Sequence, residues 1–231
     1  MLDGYHILTL THRNATLETI GKLVVQDHAS PLLNALKVRF EWEEMLYLAT
    51  CNRVVFLFYS RQPVAENTAN ELVSRICPEL STEETATIGA QMRLLRGVDA
   101  VRHWLEVAAS MDSLVIGERE IIRQLREAYD RNREAGLTGD HLRLLMRFTI
   151  ETAKEIYSRT AIGQKAVSVV ALAFAAMQNA AADRNSRILL VGAGQTNTLF
   201  AKFLAKSGYK NIAVFNRTLK NAQTLAAALQ G

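Results

Sequence analysis

A chain of 231 residues with 49% hydrophobic content is long enough to bury a core in each of one or two domains. No apolar run reaches the roughly 18 residues a membrane span needs, the opening Met1-Leu2-Asp3-Gly4-Tyr5-His6 lacks the pattern of a secretory signal, and Cys51 and Cys77 alone make no disulfide framework, so a cytoplasmic protein with free thiols is expected. The net charge of +4 is uneven: Arg184, Arg187, Lys202, Lys206, Lys210, Arg217 and Lys220 face no acidic residue within 184–231, which is either a chance excess of lysine or a surface for phosphates.

In chain order, residues 5–11, 45–49 and 54–59 are short apolar runs with β-branched or aromatic members, expected as strands, with a weaker one at 92–95. Helices are expected over 31–40 and 64–76, and a third opens at Ser81, whose Ser-x-x-Glu pattern to Glu84 is a capping box. Strands interleaved with helices on a small sheet make an α+β domain. From Asp99 the spacing becomes helical: Val101, Leu105 and Ala108, then Ile121, Leu125 and Ala128, then Leu142, Leu145, Phe148 and Ala153. Gly136-Leu137-Thr138-Gly139 separates the last two of these helices. Residues 168–182 form an Ala-rich helix that leads through the polar Asp183-Arg184-Asn185 into a new domain.

There, residues 186–191 read as a parallel strand buried on both faces. It enters Gly192-Ala193-Gly194-Gln195-Thr196-Asn197, followed by a helix that Gly208 ends, a second strand at 211–215 and a helix at 218–229. A glycine turn between strand and helix lets the backbone approach a pyrophosphate at the helix N-terminus. Asn197 stands at the third glycine position, so looser packing of helix on strand is expected there. An NAD site usually places an acid about 20 residues after the glycines. Here Asn216-Arg217-Thr218 stands instead, with Lys220 close by, and Arg217 and Thr218 can bind a 2′-phosphate. The expected cofactor is NADPH, although Arg217 also reads as an ordinary solvated charge.

Thr50-Cys51-Asn52-Arg53 lies between two strand-like runs. Most cysteines are buried, inert small hydrophobes, and Cys77 fits that description. A nucleophilic thiolate needs nearby positive charge and donors, which Arg53 and Asn52 offer Cys51. The residues alone leave both readings of Cys51 open.

Four stretches together resemble the glutamyl-tRNA reductase family: Thr50-Cys51-Asn52-Arg53; the run from His103 through Asp112-Ser113 and Gly117-Glu118 to Gln124; Ala166-Val167-Ser168-Val169; and Asn216-Arg217-Thr218. The resemblance covers most of the chain and departs from the family pattern at Ser110 and Arg123, where glycines are common, and at Arg119-Glu120, where Pro-Gln is common. Glu120 would keep acceptors but lose amide donors, and would repel a glutamate side chain unless a base offsets it.

The resemblance implies an α/β chain: an α+β catalytic domain over 1–160, a connecting helix over 161–185, and the start of a Rossmann-type NADP-binding domain over 186–231. It implies reduction of glutamyl-tRNA to glutamate-1-semialdehyde with NADPH, the entry to tetrapyrroles, through a Cys51 thioester. Arg53 would grip the substrate carboxylate with two prongs. Thr50, Asn52, Ser113, Glu118, Arg119, Glu120 and Gln124 would hold the remaining polar groups, with Glu118 a partner for the α-ammonium. His103 is expected to matter for activity, either in proton transfer or in packing near the site. Gly192, Ala193, Gly194, Gln195, Thr196, Asn197, Asn216, Arg217 and Thr218 would bind the cofactor; no metal is expected. Basic residues Arg143, Arg147, Lys154 and Arg159 are candidates to meet tRNA.

The family normally continues into a helical dimerisation domain, so a homodimer, a partner aminomutase that consumes the aldehyde, and weak cofactor binding by a partial domain are expectations too. Two rivals stand beside this reading. One is a shikimate-dehydrogenase-like NADP oxidoreductase, whose glycine loop is similar. The other is a non-reducing tRNA-binding or esterase fragment.

Overall fold

A computed structural model describes residues 2–25, 30–113, 117, 120–164, 169–180 and 183–229. It divides into two compact units, residues 1–165 and 166–231. In the first, β1 (Tyr5–Thr11), β2 (Glu44–Thr50), β3 (Arg53–Tyr59) and β4 (Arg93–Arg96) form an antiparallel sheet in the order β2-β3-β1-β4.

Both faces of this sheet are covered. Ile7, Leu46, Leu48, Val55 and Leu57 point into one core, shared with Val101, Trp104, Leu125 and Leu145 from α5 (Gly97–Ala108), α6 (Glu120–Glu134) and α7 (Asp140–Arg159). Leu8, Leu10, Met45, Tyr47, Phe56 and Phe58 point into the other, shared with α1 (Leu17–Lys22), α2 (Ser30–Arg39), α3 (Thr68–Ile76) and α4 (Thr82–Gln91). A strand buried on both faces reads as a continuous apolar run rather than an alternation, which is how β1 and β3 read. Ser81 caps α4 with both hydrogen bonds of the capping box. Helix α3 starts at Thr68, four residues later than expected, because residues 65–68 form a turn in which the Thr68 amide and hydroxyl both donate to the Ala65 carbonyl.

Strand β2 is an edge, and the link between α6 and α7 closes it. Asn132 accepts from the Tyr47 amide and donates to its carbonyl, both at 3.0 Å, while the Met45 amide donates to Leu137. The Glu44 carboxylate accepts from the amides of Gly139, His141 and Leu142 at 2.8–2.9 Å, capping α7 from a neighbouring strand.

The second unit holds α9 (Val169–Asn179), β5 (Ile188–Val191), α10 (Gln195–Lys206), β6 (Ile212–Phe215) and α11 (Leu219–Ala227), with β5 and β6 parallel; α8 (Ala161–Gln164) closes the first. Helix α9 packs on α10 through Phe174, which touches Phe200, Phe203 and Tyr209, so this helix belongs to the second unit's core. Leu189, Val191 and Phe215 on the opposite sheet face are exposed. No helix among the described residues is long and apolar enough to cross a membrane.

Candidate active site

Thr50 and Arg53 are register partners at the end of the β2–β3 ladder, so Cys51 and Asn52 are the whole connection between two strands of seven residues each. The Thr50 hydroxyl donates to the Asn52 side-chain oxygen at 2.9 Å and accepts from the Asn52 amide at 3.4 Å. The His12 amide donates to the Asn52 carbonyl at 2.9 Å, tying the end of β1 to the turn. With Asn52 buried and its turn bonded on both sides, the Cys51 thiol is left at the exposed tip. Cys77 is buried, its thiol donates to the Lys22 carbonyl, and burial pushes that thiol up.

Arg53 follows the turn in sequence yet is only 1% exposed, because strand pairing with Thr11 and Thr50 turns it inward. Its Nη1 donates to Asp112 Oδ2 at 3.0 Å, and the other oxygen of Asp112 pairs with Arg13 Nη2 at 2.8 Å. Nη2 of Arg53 is buried without a hydrogen-bond partner among the described residues. Burial pushes the Arg53 guanidinium below arginine's usual value. Asp112 opposes that by charge and hydrogen bond, Arg13 adds to it, and Cys51 acts in the same sense as Asp112.

His103, on α5, is 7% exposed with Nε2 unpartnered among the described residues. Burial lowers its pKa, Asp112 raises it, and Arg53, Arg93 and Arg13 lower it further, so the neutral imidazole is favoured beside this cluster.

Asp112 reaches Arg53 because α5 ends in a tight left-handed turn. The Ser110 amide donates to Val107 and the Met111 amide to Glu106, with Ser110 at φ +57°. This closure prefers glycine at the left-handed position, which gives a physical reason for the glycine the family pattern favours there. Ser113 is half-buried in the bend that follows.

Hydrogen bonds, ion pairs or charge interactions therefore join Thr50, Cys51, Asn52, Arg53 and His103, together with Asp112 and Arg13. Gln124 is half-buried on α6 and makes no hydrogen bond to the hairpin among the described residues. Glu118 and Arg119 lie outside those residues, as does most of the Ala166-Val167-Ser168-Val169 stretch. Glu120, at the start of α6, is paired with Arg123, which also pairs with Glu127. A base that offsets Glu120 is thus Arg123, itself one of the departures from the family pattern. Arg143 and Arg159, two of the candidates to meet tRNA, are each paired with an acid on their own helix, Asp140 and Glu155. No group of three or more potential metal ligands is present among the described residues.

In the second unit, Gly192 lies at φ +97° and its amide donates to Phe215 at 2.7 Å. The Ala193 amide donates to the Asn216 side chain at 3.1 Å, so the glycine turn and the Asn216-Arg217-Thr218 stretch meet. Asn197 does not loosen the turn: its side-chain amide donates to Val191 and Gly192 carbonyls at 2.7 and 2.8 Å, stitching the first turn of α10 to the end of β5. Gly194, at the N-cap of α10, has no side chain to bond the first amides, and a Cβ added there would meet nothing within 4 Å. Gln195 and Thr196 are exposed on the first turn, and Arg217 and Thr218 are exposed after β6.

An exposed thiol above a buried arginine–aspartate pair, and a glycine turn opening a helix between parallel strands, define a chain with a thiol-bearing α+β unit and a nucleotide-binding type of βαβ unit. The family described as Glutamyl-tRNAGlu reductase, N-terminal domain, matches residues 8–160, and that described as Shikimate / quinate 5-dehydrogenase matches residues 174–231. The chain belongs to the glutamyl-tRNA reductase family. It is 35% identical to the glutamyl-tRNA reductase of Syntrophobacter fumaroxidans over 95% of this chain and 48% of that protein. With the reductase of Syntrophus aciditrophicus it is 37% identical, over 99% of this chain and 54% of the relative. The solved glutamyl-tRNA reductase of Methanopyrus kandleri matches with a TM-score of 0.65 at 28% identity, covering 99% of this chain and 53% of that one. The chain spans about half the length of the curated relatives it matches.

Proposed function

We propose that this chain carries the acyl-transfer site of an NADPH-dependent reduction of glutamyl-tRNA to glutamate-1-semialdehyde, the first step of tetrapyrrole synthesis. The observation that carries the reading is the exposed Cys51 thiol on a two-residue hairpin turn beside buried Arg53 and its partner Asp112. The Cys51 thiolate attacks the carbonyl carbon of the ester that joins glutamate to tRNA. A carbon–sulfur bond forms, the bond to the ribose oxygen breaks, and that oxygen leaves with a proton as the free tRNA hydroxyl. His103, neutral and buried nearby, is the group available to take the proton from the Cys51 thiol, leaving the attacking thiolate, and to return it to the departing oxygen. Thr50 and Asn52 hold the turn, while Ser113, Glu118, Arg119, Glu120 and Gln124 are proposed to line the substrate's polar side.

The two-pronged grip expected of Arg53 is modified here. Nη1 is held by Asp112 and Nη2 is buried, so a contact of Arg53 with the substrate's side-chain carboxylate would require Nη2 to be uncovered.

The open N-terminus of α10, the glycine turn bonded to Asn216, and exposed Arg217 and Thr218 in a stretch, 184–231, that has no Asp or Glu fit the phosphates of NADPH. When bound, NADPH supplies the hydride that converts the thioester to an aldehyde. Residues Gly192 to Asn197 and Asn216 to Thr218 would hold its phosphates and ribose. Arg147 and Lys154 on α7 are proposed to meet tRNA phosphates. A homodimer and an aminomutase partner are proposed for the longer family protein.

The test mixes the chain with charged glutamyl-tRNA and follows tRNA release and acylation of Cys51 by mass spectrometry. Cys51→Ser is expected to abolish both; release that persists in this variant refutes the reading. Oxidation of shikimate with NADP would favour the dehydrogenase alternative, and tRNA release without NADPH oxidation the non-reducing one.

A further inference from the structure

Around the hairpin, the charges of the described residues do not cancel. Asp112 is one carboxylate shared by two guanidiniums, at 3.0 Å from Arg53 and 2.8 Å from Arg13. His103 favours its neutral form, and Arg93 on β4 adds only further positive charge. Of the two positive charges in excess among the described residues, Arg13 is the one in contact with Asp112.

Arg13 is also placed to use its charge. Its side chain is 60% exposed, whereas that of Arg53 is 1% exposed. Its loop is held by Asn14, whose side chain accepts from the Thr11 amide and hydroxyl at 3.0 Å, and by the Arg13 amide donating to the Thr11 hydroxyl. The preceding residue, His12, is bonded through its backbone to Asn52 in the cysteine turn. Arg13 is therefore anchored at its backbone to the thiol's hairpin and at its head group to the acid that orients Arg53.

We infer that Arg13 is a second anion-recognising residue of the cysteine site, so that two guanidiniums spread by Asp112 select an acyl group bearing a carboxylate over its neutral analogue. The substrate half of this assignment rests on the acyl-transfer reading given above. A neutral side chain of the same shape would leave the surplus charge unanswered, which is discrimination by charge rather than by size.

The local charge can be tested without tRNA. Cys51 is alkylated with iodoacetate, an anion, and with iodoacetamide, its neutral counterpart, and each adduct is followed on the Cys51 peptide. The ratio of the two rates is expected to exceed that of N-acetylcysteine and to fall with added salt. Arg13→Gln is expected to lower the ratio about two- to fivefold, the range for a partly exposed charge pair, and Arg13→Lys to restore part of it. With tRNA, Arg13→Gln should raise KM for release from glutamyl-tRNA by a similar factor and leave release from glutaminyl-tRNA unchanged. An unaltered alkylation ratio in Arg13→Gln, or equal losses on both esters, overturns the assignment. A wild-type chain that keeps its iodoacetate preference but releases tRNA from neither ester overturns the acyl-transfer reading, and with it the role of Arg13 toward substrate.

Discussion

Replacing Asp112 with Ala should cost the first unit far more stability than its 13% exposed side chain suggests. Arg53 keeps its place in the interior while the one anion hydrogen-bonded to it among the described residues disappears, and its Nη2 has no partner among those residues already. Removing one member of a buried pair costs about 3–5 kcal/mol, because the remaining charge stays desolvated. Asp112 is not fully buried and water can partly replace it, so the lower end, about 3 kcal/mol, is expected. For a unit of this size that lowers Tm by about 6–12 °C. Trp42 and Trp104 both lie in the first unit, so tryptophan fluorescence during urea unfolding follows that unit alone. Arg13→Ala, which removes the 60% exposed partner, should stay within about 1 kcal/mol. Adding Arg53→Leu to Asp112→Ala should recover more than half the loss, since the stranded charge is then gone. A loss for Asp112→Ala no larger than for Arg13→Ala, or no recovery in the double variant, would refute the claim that Asp112 compensates the burial of Arg53.

The remaining predictions concern pH and the cap on α7. His6 and His103 have pKa values lowered chiefly by burial, so the unfolded chain takes up protons before the folded one does. Stability is therefore complete above the unfolded value of about 6.5 and falls as pH drops below it, by up to about 1.4 kcal/mol per pH unit for each proton. His103→Gln should flatten that slope in urea titrations, and an unchanged slope would remove His103 from the account. Glu44→Ala leaves the amides of Gly139, His141 and Leu142 without their acceptor and should cost about 3 kcal/mol, with Glu44→Gln losing roughly half as much. A Glu44→Ala loss below about 1 kcal/mol would mean that solvent satisfies the helix start equally well.

Strands β1 and β3 could be read from sequence within a residue of their ends, since aromatic and β-branched runs buried on both faces stay apolar throughout. Strand β4 was faint because arginine stands at both ends of its four residues. Helix α1 went unforeseen: six residues capped by Thr16 carry too little apolar periodicity to stand out.

At the site, the Cys51 turn was legible through its polar neighbours, but the direction of Arg53 was not. Beside a turn cysteine an arginine looks like a free fork, and only the pairing of Arg53 with Thr11 shows that it is buried. Arg13 and Asp112 carry no local signal of partnership, because they come together through the β1–β3 ladder and the left-handed turn after α5. Likewise Asn132 looked like any polar helix residue, and its role at the Tyr47 backbone belongs to an edge strand distant in sequence.

With just two residues spanning the gap between β2 and β3, the sulfur has no tether to swing on. A one-residue slip of β3 against β2 would carry Arg53 to the other face of the sheet. If Cys51 takes up acyl groups as proposed, the donor must be brought to a stationary sulfur, and adaptation to a new donor would proceed through the surrounding scaffold rather than through the bend itself.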